Sequence, residues 1–280
     1  MKQQTLKSSC SFSGIGLHSG KPVEMQLLPA PDDYGIVFQR ADLCDEALVH
    51  AVVDHVASTR RSTGLAENGI RVRTAEHLLA AFRCLGVDNV LVRLNAEEVP
   101  ILDGSALPYA NALRACGLIE QQADRRYRVV RRHAEYRDSR SGSSIIVDPC
   151  RELIVDLTID FKSELVGKQQ ACYDSTVDFA TQIAPCRTFC FYREVAMLRL
   201  FGLIKGGSLD NALVLNDRKQ CYMGGKTPLF DNEPARHKLL DLLGDFALAG
   251  LPVQGRITAY KPGHKINTLA LKQFLSDEVL

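Results

Sequence analysis

The stretch that most constrains this chain is Asp231-Asn-Glu-Pro-Ala-Arg-His-Lys-Leu-Leu-Asp-Leu-Leu-Gly-Asp245. It predicts a helix over about 234–249. Asn232 is the expected N-cap, and Pro234 suits a first turn, where its missing N–H is not needed. Leu239, Leu240, Leu242, Leu243, Phe246 and Leu248 supply a wide buried face. His237 and Asp241 interrupt that apolar text four residues apart, so they share one helical face with Cβ atoms roughly 6 Å apart. The ordinary reading of such a pair is a surface hydrogen bond. The sharper reading is two ligands of one ion, because zinc takes imidazole nitrogen and carboxylate oxygen at about 2 Å. Asp245 continues the stripe one turn later and is placed to orient another group. The helix alone leaves both readings open; the second needs a third ligand and a base from elsewhere.

Composition narrows the setting. A hydrophobic fraction of 46% over 280 residues is ample for packed cores and favours two ordinary domains or one large one. Lys plus Arg number 34 against 33 Asp plus Glu. That balance predicts no nucleic-acid partner, while a local basic cluster remains available for a small phosphorylated ligand. Met1-Lys-Gln-Gln-Thr-Leu-Lys7 has no apolar signal core. No run reaches the length of about 20 apolar residues that spans a bilayer. The nine cysteines are scattered without a Cys-x-x-Cys pair and are read as reduced thiols of a cytoplasmic protein.

Taken in order, the chain alternates towards Cys10 and turns at Gly14-Ile-Gly-Leu-His-Ser-Gly20, where glycines let backbone approach a ligand beside His18. Strands are expected at Val23–Leu27, Ile36–Phe38 and Ala47–Val53, followed by polar Ser58–Thr63. Thr74 is the expected cap of a helix that stops at Gly86, so Glu76 and His77 sit in its first turn. A strand over Asn89–Leu94 and a helix over Ala106–Cys116 complete the first half. Residues 119–126 lose the apolar pattern and predict the boundary, giving domains 1–122 and 123–280. Strand, proline turn and strand recur over 144–161, so both halves share an outline. A helix over Arg193–Phe201 leads to the loop Gly202–Ser208, whose Gly206-Gly207-Ser208 is a weak phosphate signal. A strand over Ala212–Leu215 follows, and after the helix that begins near Pro234 comes a strand over Val253–Tyr260. Lys261-Pro-Gly-His264-Lys265 then turns into a last helix over Ile266–Leu275.

His50, His55 and His133 lie in ordinary strand or loop text, whereas His18, His77, His237 and His264 lie at turns or helix ends. His77 with His237 and Asp241 makes a His₂Asp set that leaves one zinc position for water. Glu76, adjacent to a ligand, is placed like the general base of a metal hydrolase. His-Glu-x-x-His is absent, since Ala81 stands at i+4 from His77.

These residues carry a family resemblance. The chain resembles the UDP-3-O-acyl-N-acetylglucosamine deacetylases, zinc amidases of lipid A biosynthesis. The likeness runs through Gly14–Gly20, Thr74-Ala-Glu-His77, Ile101-Leu-Asp-Gly-Ser105, Arg187-Thr-Phe189, Gly206-Gly-Ser208, His237–Asp245 and Gly263-His264, in that order. The resemblance implies that His77, His237 and Asp241 bind Zn²⁺. It implies that Glu76 is the general base and that His264, oriented by Asp245, is the cationic partner. It sets Thr188 at the oxyanion, Lys238 and Lys261 on the nucleotide-sugar, and Phe189 in the substrate cleft. It makes 187–216 an acyl-passage insert, with Leu203 and Ile204 lining it and Gly207, Ser208 and His18 on the substrate side. The basic residue it calls for near 135–145 has Arg137 and Arg140 as candidates.

The expected fold is α+β: two similar domains, each a small, mostly antiparallel sheet layered with two helices, the helices packed between the sheets. The expected function is zinc-dependent hydrolysis of the 2-acetamido group of an acylated UDP-sugar by a cytoplasmic monomer with no integral membrane segment. Two rivals remain. A zinc amidohydrolase of another class is separated by turnover of UDP-sugar against simple N-acetyl compounds. A non-catalytic binder of acylated nucleotide-sugars needs neither Glu76 nor His264.

Overall fold

The computed structural model describes residues 1–280. An N-terminal strand, β1 (Lys2–Leu6), is followed by β2 (Cys10–Ile15), β3 (Pro22–Pro29), β4 (Ile36–Arg40) and β5 (Leu48–His50). Three short strands, β6 (Val56–Ser58), β7 (Gly64–Glu67) and β8 (Ile70–Val72), precede α1 (Glu76–Leu85), β9 (Val90–Leu94), α2 (Leu107–Cys116) and β10 (Leu118–Asp124). The second half runs β11 (Arg128–Val129), β12 (Ala134–Asp138), β13 (Ser143–Asp148), β14 (Leu153–Asp160) and β15 (Lys168–Tyr173), then α3 (Phe179–Gln182), β16 (Phe189–Phe191), α4 (Tyr192–Leu200), β17 (Leu213–Asn216) and β18 (Cys221–Tyr222). It closes with α5 (Glu233–Phe246), β19 (Val253–Tyr260) and α6 (His264–Ser276).

Two main sheets share one plan. The first has the order β2-β3-β9-β4-β5 and the second β12-β13-β19-β14-β15. Along each of these orders, neighbours pair antiparallel except for one central parallel pair, β4 with β9 and β14 with β19, while the two-residue β11 adds a second parallel pairing to β19 off the second path. A parallel pair requires a crossover. The crossover helices are α1 in the first half and α5 in the second, so these two helices occupy equivalent places. This is the mixed α+β architecture with small, mostly antiparallel sheets that the pattern predicts. Alternation sets the inward faces: Val23, Met25 and Leu27 on β3, and Val155, Leu157 and Ile159 on β14 are buried. No helix is long and apolar enough to cross a membrane.

Twelve of the fourteen residues of α5 are buried, so this helix lies in the middle and is covered on every side. It packs against α1, α6, β14 and β15. Gly244 marks its closest approach to α1: a Cβ there would lie 2.0 Å from the Glu76 carbonyl oxygen. The glycine lets the two helices nearly touch just where each carries its charged residues.

Several local expectations change. Asn232 makes no capping bond; its Oδ1 accepts from Arg236 Nε and its Nδ2 donates to Gln170 O. The buried Glu233 carboxylate ties the start of the helix to the segments before it, accepting from Leu229 N, Arg187 N and Arg187 Nε. Thr74 is not a cap either. It sits at φ +57°, and its hydroxyl donates to Glu98 Oε1 at 2.9 Å. Residues 118–124 form a strand against β1, with Leu6 opposite Leu118; this narrow ribbon needs backbone pairing more than a full apolar face, which hid it from the pattern. The strand expected over 47–53 shortens to β5, and β6, β7 and β8 form a small sheet of their own. The last helix begins at His264, two residues early, after extended Gly263.

Candidate metal centre and catalytic cleft

The first turn of α1 carries Glu76 and His77, while α5 carries His237, Asp241 and Asp245 on successive turns. His77 Nε2 lies 3.7 Å and His237 Nε2 3.5 Å from Asp241 Oδ1. The donor atoms of the three residues all fall within 4.8 Å of one another, and all three residues are buried. The imidazole planes stand at 88° with centroids 5.1 Å apart, so the rings converge on one point rather than stack.

The protonation states suit a cation. His237 Nδ1 faces Cys186 O at 3.1 Å, which makes Nδ1 the donor and leaves the Nε2 lone pair for the cluster. Burial, reinforced by neighbouring His237, holds the His77 pKa down to about 3, and burial also lowers that of His237. For Asp241, burial alone would raise the pKa, but Lys238 and the surrounding imidazoles outweigh it and hold the carboxyl well below its usual range. Asp241 Oδ2 accepts from Lys238 Nζ at 2.7 Å, whereas Oδ1 is buried with no hydrogen-bond partner. Two neutral imidazoles and an ionised, half-satisfied carboxylate around one point fit a divalent metal, and the N₂O donor set suits zinc or iron.

Glu76 stands beside this set. Its Oε2 accepts from Thr63 N at 3.0 Å, and its Oε1 lies 3.8 Å from His264 Nε2. Burial pushes its pKa up to about 7, against the pull of His264. His264, at the start of α6, directs Nδ1 to Asp245 Oδ2 at 2.9 Å. Burial works against its charge, but Asp245, Glu76 and Asp241 outweigh it and push its pKa up to about 9. Asp245 is held in turn by Thr63 Oγ1 and by Asn267 Nδ2 at 2.8 Å. A carboxyl that ionises near neutrality therefore faces a histidine that stays charged.

Thr188 and Phe189 line a cavity of about 1040 Å³ together with Val195, Ile204, Gly207 and Ser208. The Phe189 ring lies 6.1 Å from that of His237, so the apolar cavity begins against the metal set. His18 is buried in its wall, accepting from Ile204 N through Nδ1 at 3.4 Å. Its turn is held by Glu98, which accepts from His18 N and Ser19 N at 2.8 Å each. Leu203 differs from expectation: it is buried under α4 and does not line the cavity. Its backbone N–H closes onto Leu198 O, which turns the side chain inward and Ile204 towards the space. A second, polar cavity of about 380 Å³ is lined by Lys261, Lys265, Ser141, Ser143 and His264. Arg61 borders both cavities.

The structure therefore brings together the expected Glu76, His77, His237, Asp241, Asp245 and His264. Lys238 is bound to Asp241, and Lys261 pairs with Asp160 at 3.0 Å on the rim of the polar cavity. Arg137 pairs with Glu135, and both Arg137 and Arg140 are exposed and off the lining of the polar cavity, whose cations are Arg60, Arg61, Lys261 and Lys265. His50 lies on Glu67 and His133 on Asp148 at the surface, as ordinary pairs. Sequence reasoning missed Thr63, Asn267, Glu98 and the Cys186 carbonyl. Each acts through a long-range contact that leaves no local periodicity.

The site is thus a His₂Asp donor set fit for a divalent metal, with an apolar cavity starting at the neighbouring Phe189. The profile of the UDP-3-O-acyl N-acetylglycosamine deacetylase (LpxC) family matches residues 3–276, and the chain belongs to that family. It is 40% identical over 276 residues to the UDP-3-O-acyl-N-acetylglucosamine deacetylase of Myxococcus xanthus, covering 98% of this chain and 87% of that protein. It is 42% identical over 278 residues to the same-named protein of an Anaeromyxobacter species, covering 98% and 89%. It is also 44% identical over 288 residues to the bifunctional enzyme LpxC/FabZ of Porphyromonas gingivalis, covering 95% of this chain but 62% of that protein.

Proposed function

We propose that this chain hydrolyses the 2-acetamido group of a UDP-3-O-acyl-N-acetylglucosamine and releases acetate, in the committed step of lipid A biosynthesis. The observation that carries the reading is the convergence of His77, His237 and Asp241 beside Glu76 and His264, with Phe189 of the apolar cavity against His237 and His264 on the wall of the polar one. In this reading His77, His237 and Asp241 hold one zinc ion. Bound there, zinc supplies Lewis acidity to a water molecule and to the amide carbonyl. Glu76 takes the proton of the attacking water, a role its pKa near neutrality supports. Cationic His264 faces the developing negative charge, held in register by Asp245, and Thr188 donates to the oxyanion. The amine leaves with a proton from His264 or from protonated Glu76.

The cavity beside Phe189 takes the acyl chain, with Ile204, Gly207, Ser208 and His18 along it. The cavity ringed by Lys261 and Lys265 takes the nucleotide-sugar, and Lys238, bound to Asp241, is the further cation for it. In this reading the protein is a cytoplasmic monomer whose two domains are residues 1–122 and 123–280. The test pairs metal analysis with acetate release. Chelation should abolish turnover and one zinc per chain should restore it, with acylated UDP-sugar preferred over simple N-acetyl compounds. Full activity in metal-free protein would end the reading.

A further inference from the structure

The far end of α1 opens on a third cavity, of about 300 Å³, that shares no lining residue with the two described above. Its walls are apolar: Leu153, Val155, Leu242, Phe246 and Ile257 face it from α5 and the second sheet. Its charged residues are unequally satisfied. Glu152 accepts from Ser175 Oγ at 2.7 Å. Asp174 accepts from Thr176 N at 2.8 Å and from its hydroxyl at 2.6 Å. Arg83 is different. Its side chain is 10% exposed, and its only acid, Asp88, is 3.9 Å away. Asp88 is taken more closely by Arg125, at 2.9 Å. Arg83 Nη2 donates to Gly250 O at 2.7 Å, but its buried Nε has no partner.

One carboxylate thus serves two guanidinium groups, and the buried one, Arg83, has no close acid and lies between this apolar space and a polar cavity of about 320 Å³ that it lines with Asp88, Arg126 and Arg128. A buried charge with a free donor is costly until an acceptor arrives. Burial pushes the Arg83 pKa down to about 10, as expected for a cation whose charge is under-compensated. Arg151, exposed on the lining, adds a second cation. An anionic head with a compact apolar body answers both features. We propose that this cavity is a binding site for a small aryl- or alkyl-carboxylate, its carboxylate on Arg83 and its apolar body against Leu242, Phe246 and Ile257. Such a ligand bridges α1 and α5, the two helices that carry the metal set. The inference stands on the cavity itself and does not depend on the deacetylase reading.

The test uses the full chain, with 3-phenylpropanoate and its neutral amide as probes. Calorimetry measures binding, and hydrogen exchange with mass spectrometry locates it. The expected result is slowed exchange over 82–87 and 242–251 with the acid. The amide, and the acid on Arg83→Met, should each bind about ten- to hundredfold more weakly, the effect of one hydrogen bond to a charged group. Absence of binding at millimolar acid would overturn the proposal. So would protection confined to 188–209, which marks the cavity beside Phe189, and so would equal affinity for acid and amide. The amide comparison uses the unaltered protein and decides the matter even if Arg83→Met fails to fold.

Discussion

Gly244→Ala adds one methyl group where α5 meets α1. In the structure that carbon would stand 2.0 Å from the Glu76 carbonyl oxygen and 2.8 Å from its carbonyl carbon. A carbon–oxygen contact settles near about 3.3 Å, so the helices must part by more than about 1 Å. Both atoms involved are backbone, and no side chain can swing aside. Two energies then oppose each other. Overpacking costs about 1–3 kcal/mol, and replacing a helical glycine by alanine returns about 1 kcal/mol. The net loss of about 0–2 kcal/mol should lower the Tm by a few degrees at most. The metal set is far less tolerant, because ligand distances are held to about 0.2 Å. Separation of α1 from α5 draws His77 away from His237 and Asp241 by several times that margin. We expect Gly244→Ala to stay folded yet lose zinc on dialysis, with kcat/KM for acetate release down about 100-fold. Metal analysis, calorimetric Tm and the acetate assay on one preparation supply the three readings. Retention of one zinc per chain with unchanged kcat/KM would refute the argument that this contact sets the site.

Other substitutions separate the roles within the site. His237→Ala should lose metal and activity together, whereas Glu76→Ala should keep the metal and lose about 10²–10⁴-fold in kcat; metal loss by both would make Glu76 a ligand or a support. The charge of His264 depends on Asp245, which raises its pKa towards about 9 against burial. A group that acts as a cation loses activity as pH rises through its pKa, so Asp245→Asn should move the alkaline limb of the rate profile to lower pH; an unmoved limb would assign that limb to another group. Ile204→Glu should impair long-acyl substrates more than short ones, because Ile204 lines the cavity. Leu203→Glu should reduce both alike through loss of stability, since Leu203 is buried under α4; a chain-length effect at Leu203 would contradict its position.

Much of this protein was legible in its residues because short-range spacing writes directly onto helices and strands. The i, i+4 pair His237 and Asp241 had to share a face once Leu239, Leu240, Leu242 and Leu243 made the segment a buried helix. Glu76 and His77 had to lie at the start of α1. The alternation of Val23, Met25 and Leu27 likewise gave β3 its inner face. Caps and edges were harder to read. Asn232 and Thr74 have the right side chains for capping, yet Arg236, Gln170 and Glu98 engage them first. The strand over 118–124 is stabilised by pairing with β1, which its own pattern does not announce. The tertiary structure alone decided that the crossover helices of two like sheets meet at Gly244. It alone decided that Thr63, from a polar stretch without periodicity, reaches both Glu76 and Asp245. Helical backbone hydrogen bonding and amphipathic spacing act between near neighbours in sequence, so residues alone reveal them. A metal set drawn from α1 and α5, and a histidine steadied by Asp245, depend on distances between segments far apart in the chain, and only packing specifies those.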